Sequence, residues 1–117
     1  MGETITILNK QEAEMLLQNV YKQHAVFRED KTAETANIYK ALGDPLRLEM
    51  LGMLLQRNCC KCELLDAFEG APSTITHHLS ILERAGLIKG ERKGKYTIYQ
   101  LQADRQQVNV WLGGISL

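Results

Sequence analysis

No apolar run in the 117 residues approaches the roughly 20 that a membrane-spanning helix needs, so the chain carries no such span. Cysteine is missing everywhere except at Cys59, Cys60 and Cys62. A disulfide scaffold spreads an even number of cysteines along a chain. This cluster instead implies reduced thiols kept for coordination or redox chemistry. Net charge is lacking as well, since 14 Lys and Arg balance 14 Asp and Glu. That excludes a histone-like binder held by bulk charge. Internal repeats, linkers and low-complexity stretches are absent. Nothing brings a glycine-rich phosphate loop, an oxyanion cradle or paired carboxylates into one neighbourhood, so a cysteine with His24, His77 or His78 as base has nothing to make it an enzyme. No basic flank followed by an apolar stretch marks a secretory signal, and the chain is expected to be cytoplasmic and free of the membrane.

What remains is an ordinary globular composition, 44% hydrophobic and 24% charged, with the length of a single domain spanning residues 1–117. Charge is unevenly placed. Between Glu83 and Lys95 five bases (Arg84, Lys89, Arg92, Lys93, Lys95) face two acids, whereas the first 37 residues carry six acids against four bases. A neutral chain with one compact basic end suits selective, salt-sensitive contact with phosphates.

Apolar periodicity predicts a helix over residues 9–26, with Leu16, Leu17, Val20, Tyr21 and His24 on one face. Arg28, Glu29, Asp30 and Lys31 form a charged break. Thr32 is placed to cap a second helix to about Leu42, with Ile38, Ala41 and Leu42 inward. Gly43-Asp44-Pro45 then stops one helix and starts another, with Asp44 accepting from free amides and Pro45 holding the first helical φ. That third helix runs to about Gln56 and buries Leu48, Leu51 and Leu55 or Leu54. A short helix over residues 60–68 ends before Gly70. A helix over residues 72–84 is stopped by Gly86. Residues 87–92 and 95–101 read as strands around Lys93-Gly94. A final helix, capped by Asp104, carries Val108, Trp111 and Leu112 on one face. The fold class is mainly α with a β-hairpin wing, a winged helix-turn-helix.

At about 100° per residue, the helix over 72–84 gathers Ile75, His78, Leu79 and Leu82 on one side. Ser73, Thr74, Thr76, His77 and Ser80 occupy the opposite arc. Short hydroxyl side chains let a helix lie close to base edges and donate to phosphates. Water alone would satisfy such a face equally well. The basic hairpin tip, Arg92, Lys93 and Lys95, tips the reading toward double-stranded DNA, because it supplies a second contact to flanking phosphates or the minor groove. His77 lies on the reading arc; His78 is expected to be partly buried and hydrogen-bonded.

The run Tyr39-Lys40-Ala41-Leu42-Gly43-Asp44-Pro45-Leu46-Arg47-Leu48, the run from Ser73 through His77-His78-Leu79 to Ala85-Gly86-Leu87-Ile88, and Gly94-Lys95-Tyr96 together resemble the ArsR/SmtB family of bacterial repressors over about residues 36–102. The resemblance implies a homodimer, joined through its first and last helices, that binds a twofold operator and leaves it when an inducer binds. Cys60-Lys61-Cys62 resembles the sensor motif of members responding to arsenite, antimonite, cadmium or lead. Thiolates are soft donors and select thiophilic ions. With three cysteines, Cys59, Cys60 and Cys62, the favoured inducer is As(III) or Sb(III); Cd(II) or Pb(II) would want a further ligand such as water, Glu63 or His24. On a regular helix Cys60 and Cys62 lie about 200° apart, so all three converge only if the first turn is irregular. The final helix has no histidine, which removes the zinc site that some members carry there, and Leu65 stands where a third family cysteine commonly follows the pair. Three alternatives stay open: unliganded thiols, a redox or sulfur-species sensor of the same fold, and a winged-helix protein-interaction module.

Overall fold

A computed structural model describes residues 4–27 and 31–114. The elements in order are α1 (Lys10–Gln23), a 3-10 turn (Ala25–Phe27), α2 (Lys31–Leu42), α3 (Pro45–Gln56), β1 (Cys59–Cys60), α4 (Lys61–Ala67), α5 (Pro72–Arg84), β2 (Ile88–Lys93), β3 (Tyr96–Leu101) and α6 (Arg105–Trp111). The chain divides into two compact units, Met1–Ala36 and Asn37–Leu117. No helix among the described residues is long and apolar enough to cross a membrane.

In the first unit Asn9 caps α1. Its side chain accepts from the Glu12 amide at 2.8 Å, and the Glu12 carboxylate accepts from the Asn9 amide at 3.0 Å, which satisfies two of the free donors at a helix start. The helix ends at Gln23 and a 3-10 turn follows, so the expected helix over 9–26 closes in a tighter turn. There the Tyr21 and Phe27 rings meet tilted, with centroids 6.0 Å apart. Helix α1 buries no residue. Of the charged break, Arg28 to Asp30 lie outside the described residues, and Lys31 already belongs to α2. Thr32 therefore sits within the first turn rather than capping it.

The second unit is a winged helix-turn-helix. Asp44 is the N-cap of α3, accepting from the amides of Leu46 (2.9 Å) and Arg47 (3.3 Å), with Pro45 in the first turn. Inside, α3 buries Met50, Leu51 and Leu54. Leu48, expected in the core, is only half-buried, and of the alternatives Leu55 and Leu54 it is Leu54 that is buried, because the inward stripe is set by Met50 and Leu54, four apart. Helix α5 contributes Ile75, Leu79 and Leu82 to the same cluster, joined by Leu64 of α4, Leu87, Ile88 and Val108. Gly86, at φ 77°, lets the chain leave α5 and enter β2.

The sheet has three antiparallel strands in the order β1-β3-β2. The hairpin pairs Lys93 with Tyr96, so its two-residue loop is Gly94-Lys95, one position later than the sequence suggests. Gly94 at φ 63° takes the left-handed place that such a turn requires. Strand β1 was not anticipated: Cys59 pairs with Tyr99 and Cys60 with Ile98. Two residues are too few for periodicity to reveal. Asp104 caps α6, accepting from Gln107 at 3.0 Å. Val108 is fully buried, with Trp111 and Leu112 packed against the same core. The apolar face of α6 thus largely covers its own unit, leaving Val110 exposed.

Candidate nucleic-acid interface and thiol pair

Helix α5 is held by its buried stripe, so its opposite arc is fixed in direction. Ser73, Thr74 and His77 are exposed, and Thr76 and Ser80 are half-buried. Pro72 opens the helix and has no N–H to give, Ala71, its N-cap, makes no side-chain cap bond, and the Thr74 amide closes a tight turn onto the Ala71 carbonyl at 2.9 Å. At the wing, Arg92, Lys93 and Lys95 are all exposed. Arg92 Nε donates to the Gly94 carbonyl at 3.0 Å, and Lys95 Nζ lies 5.4 Å from the Tyr96 ring. These bonds order the tip and leave its charge in solvent.

His78 is half-buried, on the flank of α5 toward α3. Arg47 Nη1 donates to its Nδ1 at 2.9 Å, and Asp44 Oδ1 lies 4.0 Å from the same nitrogen. Arg47 also donates through Nε to the Ala41 carbonyl (2.6 Å) and through Nη2 to the Lys40 carbonyl (3.4 Å). One guanidinium thereby ties the end of α2 to α5. Burial works to raise the Asp44 pKa, but the amides of Arg47 and Leu46, with the charges of His78 and Arg47, outweigh it and hold the carboxyl below its ordinary 3.8.

The cysteines fall into two environments. Cys60 is extended (φ −66°, ψ 147°) and is the N-cap of α4. Its sulfur accepts from the Cys62 amide at 3.3 Å, while the Glu63 carboxylate accepts from the Cys60 amide at 2.7 Å. Arg57 flanks that carboxylate at 3.7 Å. Because Cys60 precedes the helix, the helical wheel that separates it from Cys62 does not apply. Its side chain folds back over the first turn, and the two residues are joined as a disulfide with Cα atoms 5.2 Å apart. Cys59 is not brought to them. Neighbouring strand residues point to opposite faces, and Cys59 is 3% exposed within the core cluster. Its thiol donates to the Arg57 carbonyl at 3.4 Å. Burial, helped by Glu63 and opposed by Arg57, raises its pKa and keeps it protonated. Among the described residues no group of three or more His, Cys, Asp or Glu side chains gathers as a ready metal site. Once reduced to thiolates, Cys60 and Cys62 would be two soft donors for a thiophilic ion, and Cys59, the third expected ligand, does not join them.

Residues 44–89 match the profile of the family described as bacterial regulatory protein, arsR family. An HTH-type transcriptional regulator of Methanocaldococcus jannaschii is 38% identical over 77 residues, 65% of this chain and 86% of that protein. The arsenical resistance operon repressor of Bacillus subtilis is 44% identical over 64 residues, 54% of this chain and 61% of the repressor. Among solved structures, HlyU from Vibrio cholerae is similar with a TM-score of 0.62 at 27% identity, covering 73% of this chain and 90% of HlyU. With its winged helix-turn-helix, its matched segment running from the cap of α3 into β2, and a relative covered over most of its length, the chain belongs to the ArsR family of bacterial regulatory proteins, which are regulators of transcription and not enzymes.

Proposed function

We propose that this protein is a homodimeric repressor that binds operator DNA through α5 and the wing, and that thiol chemistry at Cys60 and Cys62 releases it. Ser73, Thr74, Thr76, His77 and Ser80 read the major groove, and Arg92, Lys93 and Lys95 hold flanking phosphates. Met15, Leu16, Leu17 and Tyr21, uncovered on α1, supply the apolar surface for pairing two copies, with a smaller share from Val110.

One observation carries the sensing role. The sulfur of Cys60 is itself the cap of α4, and α4 places Leu64 in the cluster that seats Ile75, Leu79 and Leu82 of α5. Whatever takes that sulfur away from the Cys62 amide frees donors at the start of α4 and disturbs the support of the reading helix. The favoured inducer is As(III) or Sb(III), with Cd(II) or Pb(II) next. Such an ion supplies strong bonds to soft sulfur, and the similarity to an arsenical resistance operon repressor supports that class. Cys59, protonated and internal, acts as a core residue in this reading.

The bond joining Cys60 to Cys62 favours a second reading, in which the pair cycles between disulfide and two thiols by exchange with a cellular dithiol–disulfide couple, which gives up two electrons and two protons as it becomes a disulfide and takes them back in the reverse step. A release assay separates the two. A labelled duplex selected from a random library on the protein itself is titrated with arsenite, antimonite, cadmium, lead or a mild oxidant. Cys60→Ser and Cys62→Ser should keep DNA binding and lose release, whereas Cys59→Ala should still respond. Release by arsenite under reducing conditions supports the metalloid; release by oxidant alone supports the redox pair. Serine variants that still let go would place the sensor elsewhere.

A further inference from the structure

Beside the reading arc lies a groove of about 390 Å³ between the end of α2 and the last two turns of α5. Its polar lining is Asn37, Lys40, Arg47, His77 and Arg84, over a floor that includes Ile81. No carboxylate lines it. None of the ion pairs formed among the described residues involves Lys40 or Arg84. Arg47 is spent on two carbonyls and His78, whereas Arg84 donates its Nε to the Ser80 carbonyl at 3.4 Å, so its terminal nitrogens and the Lys40 ammonium are the groups offered to an outside partner. Both belong to exposed residues.

The placement of Arg84 is what identifies the partner. Counting from Ser73 at about 100° per residue, His77, Ser80 and Arg84 return to within about 40° of the same direction. Arg84 therefore closes the stripe that the hydroxyl arc begins, roughly 16 Å along the helix from Ser73. His77 belongs to both the stripe and the groove. A duplex lying on the stripe passes over the groove at the carboxyl end of α5, far along the helix from its opening turn. There the sugar-phosphate chain, rather than a base edge, is the part of DNA that an ammonium and a guanidinium outside those ion pairs recognise.

We infer that Lys40 and Arg84 form a phosphodiester-binding shelf for the DNA backbone, continuing the reading arc at its carboxyl end and distinct from the wing. The inference rests on the DNA-binding role proposed above. It adds α2 to the contacting surface and makes Arg47 a positioning residue, since its bonds to the Lys40 and Ala41 carbonyls hold the end of α2 beside α5.

The test uses the full chain with Lys40→Gln, Arg84→Gln and the double variant. Affinity for the library-selected duplex and for a scrambled duplex is measured by anisotropy across a potassium chloride series. Each substitution should weaken both duplexes by a similar factor, roughly three- to tenfold near physiological salt. Each should flatten the slope of log K against log salt by about 0.9 for every phosphate that is no longer neutralised. Melting temperature should be unchanged, because neither side chain supports the core. An unchanged slope overturns the shelf. So does a loss confined to the selected duplex, which would mark base reading. A variant with lowered melting temperature is judged by its slope at a temperature where it is folded. If the parent chain binds neither duplex at any salt, the DNA-binding role itself fails; parental binding with indifferent variants sinks only the shelf.

Discussion

Helices α1 and α5 are alike on paper, 14 and 13 residues long, each with an apolar stripe at three-and-four spacing. In the structure they part company. Helix α5 buries Ile75, Leu79 and Leu82; α1 buries nothing, and Met15, Leu16 and Leu17 are 66%, 55% and 48% exposed. Periodicity says that one face of a helix wants cover, and it is silent on whether the cover comes from the same chain. A stripe satisfied within its own unit fixes the aim of the opposite face, as the proposed contact of α5 with DNA needs. A stripe left open is free to meet a second copy, as the proposed dimer needs of α1.

The sharpest way to break this contrast is to truncate one leucine on each helix. Leu79→Ala removes a 1%-exposed side chain and leaves a cavity, so it should cost about 2–5 kcal/mol of folding stability. Denaturant melts should give the same loss at every protein concentration. A loss well below 1 kcal/mol would show that α5 is not seated as described.

Leu16→Ala should behave otherwise. Its cost, about 1.5–3 kcal/mol if the side chain is buried in the pair, should appear in association. Sedimentation equilibrium should show a weaker dimer, and the melting temperature should depend more steeply on concentration. A variant that pairs as tightly as the parent would mean that the open stripe of α1 meets something other than a second copy.

The same contrast explains what could be read before the structure. The bounds of α5 were legible to the residue because Pro72 and Gly86 punctuate a strong stripe, and Asp44 with Pro45 marked the start of α3 equally well. The inward stripe of α3 was less clear, since leucines at 46, 48, 51, 54 and 55 surround the helix and only packing selects among them. The polar arc was legible as an exposed surface; its partner was not, since water and DNA both suit hydroxyls. The arrangement of the cysteines was only partly legible, for a specific reason. A wheel presumes that all three lie on one helix, but the long-range pairing of β1 with β3 pulls Cys59 and Cys60 into extended backbone. That pairing turns Cys59 inward and frees Cys60 to meet Cys62. Strand partners nearly 40 residues apart in sequence have no local signature. Arg84 was visible as a base at a helix end, but its role depended on what stood across from it, and Lys40 lies 44 positions earlier.

The smallest effect is expected where the seat of α5 depends on charge. Asp44 caps α3 and stands 4.0 Å from His78 on α5, so Asp44→Ala should cost about 0.5–2 kcal/mol at neutral pH. Its carboxyl titrates below 3.8 in the folded chain and near that ordinary value when unfolded. A lowered folded pKa stabilises the native state above the unfolded value, and the contribution disappears as pH falls through the folded one. The difference in melting temperature between parent and Asp44→Ala should therefore be full at pH 6 and shrink below about pH 4. No comparable shrinkage should accompany Leu16→Ala, whose contribution carries no charge. A difference for Asp44→Ala that stays constant down to pH 3 would show that the cap holds α3 by hydrogen bonds alone, with no ionised carboxylate steadying His78 and the helix it sits on.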